Sequence, residues 1–175
     1  MGADIHFYVE KYSNEDYIGP KDISEDRDNK IGIITEDGYL SNRYRWIPAD
    51  KWVMNEDYDN EIYWEVPYKR SFYSGRNYYL FAILADVRND GSVEPISQPR
   101  GIPEDCSYPY KLLLDRWGMD AHSESYFTLE ELLNVKWDEY NSHQGWLKEF
   151  METIEKMKQV DPDPSNVRCV FFFDN

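Results

Sequence analysis

The first strand of the chain is marked by an alternation of apolar and polar residues. Ile5, Phe7 and Val9 alternate with polar residues over residues 4–10, and a period of two predicts a β-strand with one apolar and one polar face. At the other end, residues 167–173 form an apolar run rich in β-branched and aromatic residues, which predicts a buried central strand. These two strands are candidates for neighbouring positions in one sheet.

Apolar spacings of three and four residues predict helices in the second half of the chain. A helix is expected over about residues 77–87, capped by Asn77 or Ser74. A capping-box sequence opens a short helix over residues 128–134. The longest helix is expected over roughly residues 144–159, which carry an amphipathic stripe.

The remaining segments complete a single α+β domain over residues 1–175. Residues 31–35 and 62–66 read as strands, the former followed by an Asp-Gly hairpin turn, whereas residues 13–30 are charged and read as a solvated excursion. Four prolines predict a long ordered loop around residues 89–110. We therefore expect a central mixed or antiparallel sheet that includes both terminal strands, with two or three helices and long loops.

The net charge excludes several classes of partner. The chain has 34 acidic and 19 basic residues, a formal charge of −15, so direct nucleic-acid binding and attachment to an anionic membrane are not expected. Neither a signal peptide nor a transmembrane segment is recognisable, and Cys106 and Cys169 have no metal-type spacing. A cytoplasmic protein with free thiols is expected, and acidic neighbours disfavour Cys106 as a nucleophile.

Two Asp-x-His sequences are candidates for a metal site. Asp4 and His6 would share the polar face of the first strand, and Asp120 and His122 repeat the spacing. Two imidazoles and two carboxylates would suit Zn²⁺ or Mn²⁺ with a position open for water. The structural alternative places His6 on a solvent-facing strand and His122 in a loop, with no shared site.

Basic and amide side chains suggest a second kind of site, for an anionic ligand. Arg76 and Asn77 stand at the start of the helix predicted over residues 77–87, where free N–H groups attract anions. Arg88 and Arg100 could add planar guanidinium groups, and the Tyr78 ring could stack on a base. The alternative is that these arginines pair with surface acids and that the aromatic residues are mostly core.

Five blocks distributed over nearly the whole chain resemble a family of small uncharacterised phage and bacterial proteins, which often open Met-Gly-Cys-Asp-Ile-His. The blocks are Met1–His6, Gly75–Phe81, Pro99–Pro103, Asp120–Ser123 and Phe173–Asn175. Ala3 stands where the family has Cys, which argues against a thiolate ligand there. The resemblance implies a compact phage-type accessory protein, and such proteins commonly counter host defences, several of which signal through small nucleotides.

Three functions follow as hypotheses. The first is an anti-defence protein that binds and sequesters a small anionic ligand, plausibly a nucleotide immune signal, through Arg76, Asn77, Tyr78, Arg88 and Arg100. The second is a metal-dependent phosphoesterase that cleaves such a nucleotide. The third is an acidic DNA mimic that inhibits a host DNA-binding enzyme. The sequence leaves room for a homo-oligomer, since ligand sponges are often built at subunit interfaces.

Overall fold

An antiparallel sheet lies at the centre of the protein, in a computed structural model that describes residues 2–13, 46–140 and 145–174. The sheet has the order β2-β1-β6-β5, with β1 at Ile5–Tyr12, β2 at Trp46–Pro48, β5 at His122–Thr128 and β6 at Val167–Phe173. A separate hairpin pairs β3, Val53–Glu56, with β4, Ile62–Glu65. The first and last strands are thus neighbours, as the sequence predicts.

Within the described residues, four α-helices pack on this framework, one more than the upper number expected. They are α1 at Tyr78–Ala85, α2 at Tyr108–Trp117, α3 at Leu129–Asn134 and α4 at Lys148–Met157. Helices α1, α3 and α4 confirm the three predicted helices with shorter bounds. The caps of α1 and α3 are also as predicted: Asn77 accepts from the Leu80 N–H, and Thr128 and Glu131 form a capping box.

The sheet buries both of its faces because side chains alternate along each strand. On one face, Phe171 and Phe173 of β6 pack with Phe81, Phe150 and the other apolar residues of α1, α3 and α4. On the opposite face, Val170 and Phe172 pack with residues of α2 and of the β3–β4 hairpin. Strand β6 is consequently buried along its whole length, as its continuous apolar sequence predicts.

The structure differs from the sequence expectations at the start of α2 and at β5. The predicted loop around residues 89–110 ends earlier, because Tyr108 already begins α2, and Pro109 falls in the first helical turn, where it costs no hydrogen bond. Strand β5 was not expected, since its sequence is largely polar. The strand at 31–35, its hairpin turn and residues 14–30 of the charged excursion lie outside the described residues.

Candidate functional site

A cleft of about 820 Å³ opens on the α2 face of the sheet, beside the start of β1 and the end of β6. We call it the His6 cleft. Its polar lining comes from both ends of the chain and from the segment before α1, and its walls are mainly aromatic. The polar side chains that matter below are Asp4, His6, Glu65, Arg76, Arg116, Asp120 and Asp174, and the rings are Tyr8, Tyr63, Tyr68, Tyr73 and Trp117.

His6 is held firmly in this cleft. Its ring stacks on Phe172 with centroids 4.5 Å apart and lies against Trp117 at the same distance. Its Nε2 lies 3.1 Å from Asp174 Oδ2. An ionised carboxylate only accepts, so in the neutral form of the ring this contact places the proton on Nε2 and the lone pair on Nδ1. Nδ1 has no hydrogen-bond partner among the described residues, and the His6 side chain as a whole is partly exposed in the cleft.

Asp4 and Arg76 form a second pair beside the first. The Arg76 guanidinium donates to both Asp4 carboxylate oxygens, through Nε at 2.5 Å and through Nη2. The hydrogen bonds from Arg76 lower the pKa of Asp4, and the same contact raises the pKa of Arg76. The two pairs are joined through the backbone, since the Asp4 N–H donates to Asp174 Oδ1 at 2.9 Å.

A third charged group, Arg116, stands at the end of α2. Its guanidinium lies over the Tyr63 ring, 3.9 Å from the centroid, and Nη2 donates to Asp57 at 3.0 Å. The neighbouring Trp117 covers His6. The last turn of α2 therefore supplies both a cation and a flat wall to the His6 cleft.

The charge in the cleft is mixed rather than positive. Its described lining contains four carboxylates, those of Asp4, Glu65, Asp120 and Asp174, against the guanidinium groups of Arg76 and Arg116. A polyanion would meet net repulsion at such a surface, whereas one compact anionic group placed on a guanidinium would not. Carboxylates also accept hydrogen bonds, which suits a ligand with hydroxyl or amino groups.

Of the five predicted anion-binding residues, Arg76 lines the cleft. The Asn77 side chain caps α1 and donates to the Trp146 carbonyl, so its oxygen and amide are engaged. Tyr78 accepts from the Ala3 N–H, and Arg88 lies 5.8 Å over the Tyr78 ring. Arg100 pairs with Glu131 at 2.8 Å and covers Phe127. These four surround α1 and β5 rather than the His6 cleft.

The four predicted metal ligands do not come together. His6 stands opposite Phe172 and His122 opposite Phe173, and these adjacent residues of β6 point to opposite faces of the sheet. Asp120 shares the cleft with Asp4 and His6, but His122 stacks on Phe173 instead. Across the described ranges, no group of three or more His, Cys, Asp or Glu side chains is placed to hold a metal ion. The described residues therefore give no geometric support to the predicted zinc or manganese site.

Neither described cysteine is set up for nucleophilic chemistry. Cys106 and Cys169 are both buried free thiols, and burial raises the pKa of each to about 12. The effect on Cys106 agrees in direction with the prediction from its acidic neighbours, although desolvation is the larger cause.

Sequence reasoning missed several residues of the site, among them Asp174, Arg116 and Trp117. A signal for Asp174 existed, because it directly follows the buried terminal strand and belongs to the last of the five resembling blocks. Arg116 and Trp117 were missed because α2 itself was not predicted. The opening block, the block that holds Arg76 and the closing block do meet at this cleft.

No protein-family model matches the chain, and comparisons with curated proteins and with solved structures give no significant match. Within the part of the chain that is described, no helix has the length and apolar character needed to cross a membrane. The function must therefore be argued from the geometry of the His6 cleft.

Proposed function

We propose that this protein binds a small anionic ligand, of nucleotide type, in the His6 cleft. The observation that carries the proposal is that Arg76 and Arg116 line one cleft together with aromatic rings, on a chain whose net charge is −15. Guanidinium groups bind phosphate through a planar fork, and aromatic faces stack on bases.

The volume and the charge of the cleft limit the kinds of ligand that it can bind. Ligand pockets commonly enclose about 300–1,000 Å³, and 820 Å³ is in that range. A ligand with one phosphate and a sugar would place its anionic group at Arg76 and its hydroxyls near Asp4 or Asp120. The four lining carboxylates disfavour a triphosphate, because they would repel its several negative charges.

The Arg76–Asp4 pair does not prevent this binding. Both side chains are about half exposed, at 57% and 46%, and exposed ion pairs contribute only about 0–1 kcal/mol. The Nη1 of Arg76 is not used by Asp4. A ligand phosphate can therefore bond to Nη1 beside Asp4, or displace the carboxylate at small cost.

The biological role that fits is sequestration. A phage-type accessory protein, the setting implied by the five resembling blocks, would bind a nucleotide signal of a host defence in the host cytosol and lower its free concentration. Tight binding of a small ligand is sufficient for this role, without further chemistry. Neither a second macromolecule nor a membrane is needed.

The test is titration calorimetry with the four ribonucleoside 5′-monophosphates and with inorganic phosphate. We expect one or more monophosphates to bind, and Arg76→Ala to weaken that binding by about 10–100-fold, since a charged hydrogen bond contributes roughly 1.5–3 kcal/mol. Arg76→Lys should recover only part of the loss, because an ammonium lacks the planar fork.

Arg100→Ala is the matched control. It removes the same charge from another exposed guanidinium–carboxylate pair, but one that lies outside the cleft. The control should bind as the wild type does. Equal losses in the two variants would mean that only net charge matters, and a full panel without binding would refute the proposal.

A further inference from the structure

We propose that His6, positioned by Asp174, is a general base with which the His6 cleft cleaves the 3′–5′ phosphodiester bond of a small ribonucleotide. The inference rests on the proposed function, because the substrate must first bind in this cleft. It adds a reaction that ligand sequestration does not require.

The geometry at His6 is that of a prepared base. Asp174 fixes the tautomer through Nε2 at 3.1 Å, and Phe172 and Trp117 fix the plane of the ring. The side chain is about 20% exposed, and it lies in the open cleft rather than in the core. A ring held this tightly has little orientational freedom to lose when it takes a proton.

The His6–Asp174 contact is not needed to join the terminal strands. Strands β1 and β6 are paired from Ile5–Phe173 to Lys11–Val167, and the Asp174 N–H continues the ladder to the Asp4 carbonyl at 3.2 Å. The backbone alone therefore secures the end of β6. The His6–Asp174 pair adds an oriented imidazole that faces the cleft.

The reaction needs no atom beyond the substrate and solvent. Nδ1 of His6 takes the proton of the ribose 2′-hydroxyl, and the 2′ oxygen forms a bond to the adjacent phosphorus. The P–O5′ bond breaks, the 5′ oxygen takes a proton from solvent, and His6 later returns its proton to solvent. The products are a 2′,3′-cyclic phosphate and a 5′-hydroxyl, with no electron transferred.

Arg76 is placed to assist this step. In the transition state, negative charge builds up on the phosphoryl oxygens, and a guanidinium that already stands in the cleft stabilises it without reorganising. Asp174 interacts electrostatically with Arg76 as well as bonding to His6, so the base and the cation belong to one cluster. The attacking hydroxyl is part of the substrate, which removes the entropy cost of capturing a separate nucleophile.

The experiment uses the 3′–5′ dinucleotide ApA, with its 2′-deoxy analogue as the substrate control, in buffer containing EDTA. We expect ApA to yield adenosine 2′,3′-cyclic phosphate and adenosine, resolved by chromatography, and the deoxy analogue to remain intact. His6→Gln should lower the rate by about 10²–10⁴-fold. Added imidazole should restore part of the activity of His6→Ala.

Asp174 is tested as a positioning residue. Asp174→Asn should lower kcat by about 10-fold or more with KM changed less than about twofold, because the substrate does not contact it while the tautomer of His6 depends on it. His122→Gln is the matched control: His122 also stacks on a phenylalanine of β6 but lies outside the cleft. Circular dichroism spectra should be recorded to establish that each variant is folded.

Three experimental outcomes would each overturn the proposed general-base role of His6. If ApA binds but is recovered intact, the general-base role is refuted and the proposed binding function stands. If ApA neither binds nor reacts while a monophosphate does bind, the cleft holds mononucleotides only and the inference fails. Cleavage that persists unchanged in His6→Gln would also overturn it.

Discussion

Asp50 shows how a single buried residue can contribute to the pH dependence of folding stability. Its Oδ2 accepts the Val9 N–H at 2.5 Å, Oδ1 has no partner among the described residues, and the residue is 3% exposed. Burial raises the pKa of Asp50 to about 8. Between the unfolded pKa, near 4, and the folded pKa, the native state therefore binds more protons than the unfolded state.

The sign of the prediction follows from this excess of bound protons. The free energy of unfolding should fall as the pH rises from 5 to 8, with a contribution from Asp50 of at most about 1.4 kcal/mol per pH unit. Asp50→Asn keeps an acceptor for Val9 but cannot ionise, so its urea-unfolding curves should depend less on pH. The exposed Asp115→Asn is the control and should keep the wild-type slope. An unchanged slope in Asp50→Asn would contradict the assignment.

At the residue scale, the sequence located four of the seven charged or imidazole side chains that line the His6 cleft, namely Asp4, His6, Arg76 and Asp120. Asp4, His6 and Arg76 were singled out because scarce or charged side chains stood beside predicted elements. What could not be read was which face each side chain would occupy. His6 and His122 share the same tripeptide form, but the register of β1 and β5 against β6 places them on opposite faces.

At the scale of the element, strong local sequence signals were sufficient to predict a helix or a strand, and weak ones were not. The terminal strands, α1, α3 and α4 each had a clear period or a cap. Helix α2 also had apolar residues at helical spacing, Tyr110, Leu113, Leu114 and Trp117, but Pro109 was read as a loop residue. Strand β5 has a polar sequence and a bulge between His122 and Ser125, so its pairing with β6 depends on tertiary context.

The capping box of α3 is a local signal whose energy can be measured. The Glu131 N–H donates to Thr128 Oγ1 at 3.1 Å, and the Thr128 N–H donates to the Glu131 carboxylate at 2.9 Å. Thr128→Ala removes the first bond and should lower the free energy of unfolding by about 1 kcal/mol. Thr128→Ser should keep most of the stability, since its hydroxyl can still accept. Equal losses in the two variants would show that the methyl group, rather than the cap, matters.

At the scale of the whole molecule, α2 connects the buried face of the sheet to the His6 cleft. Its N-terminal end is held by the Ser107 N–H, which donates to Glu10 at 2.6 Å. Its C-terminal end brings Arg116 and Trp117 to the His6 cleft. The position of these two residues therefore depends on an anchor at the opposite end of the helix.

That anchor is a buried charged network. Arg168 donates to Glu10 at 2.6 Å and to Asp105 at 2.9 Å, and it lies 4.1 Å over the Trp46 ring. Glu10 and Arg168 stand directly opposite each other in the β1–β6 ladder and are 1% and 4% exposed. Removing one partner of such a pair leaves an uncompensated charge, whereas replacing both with apolar residues of similar volume does not.

Glu10→Ala should therefore lower the free energy of unfolding by about 3–5 kcal/mol, because Arg168 loses a buried carboxylate and the Ser107 N–H loses its acceptor. The double variant Glu10→Leu with Arg168→Met should recover most of this loss in urea unfolding, since no buried charge remains unpaired and Asp105, which also loses Arg168, is half exposed. The Ser107 amide hydrogen should exchange faster than in the wild type in both variants, because neither restores the acceptor that holds the start of α2. If the double variant is as unstable as Glu10→Ala, packing rather than charge pairing secures α2 to the sheet, and the connection from this anchor to the His6 cleft is not electrostatic.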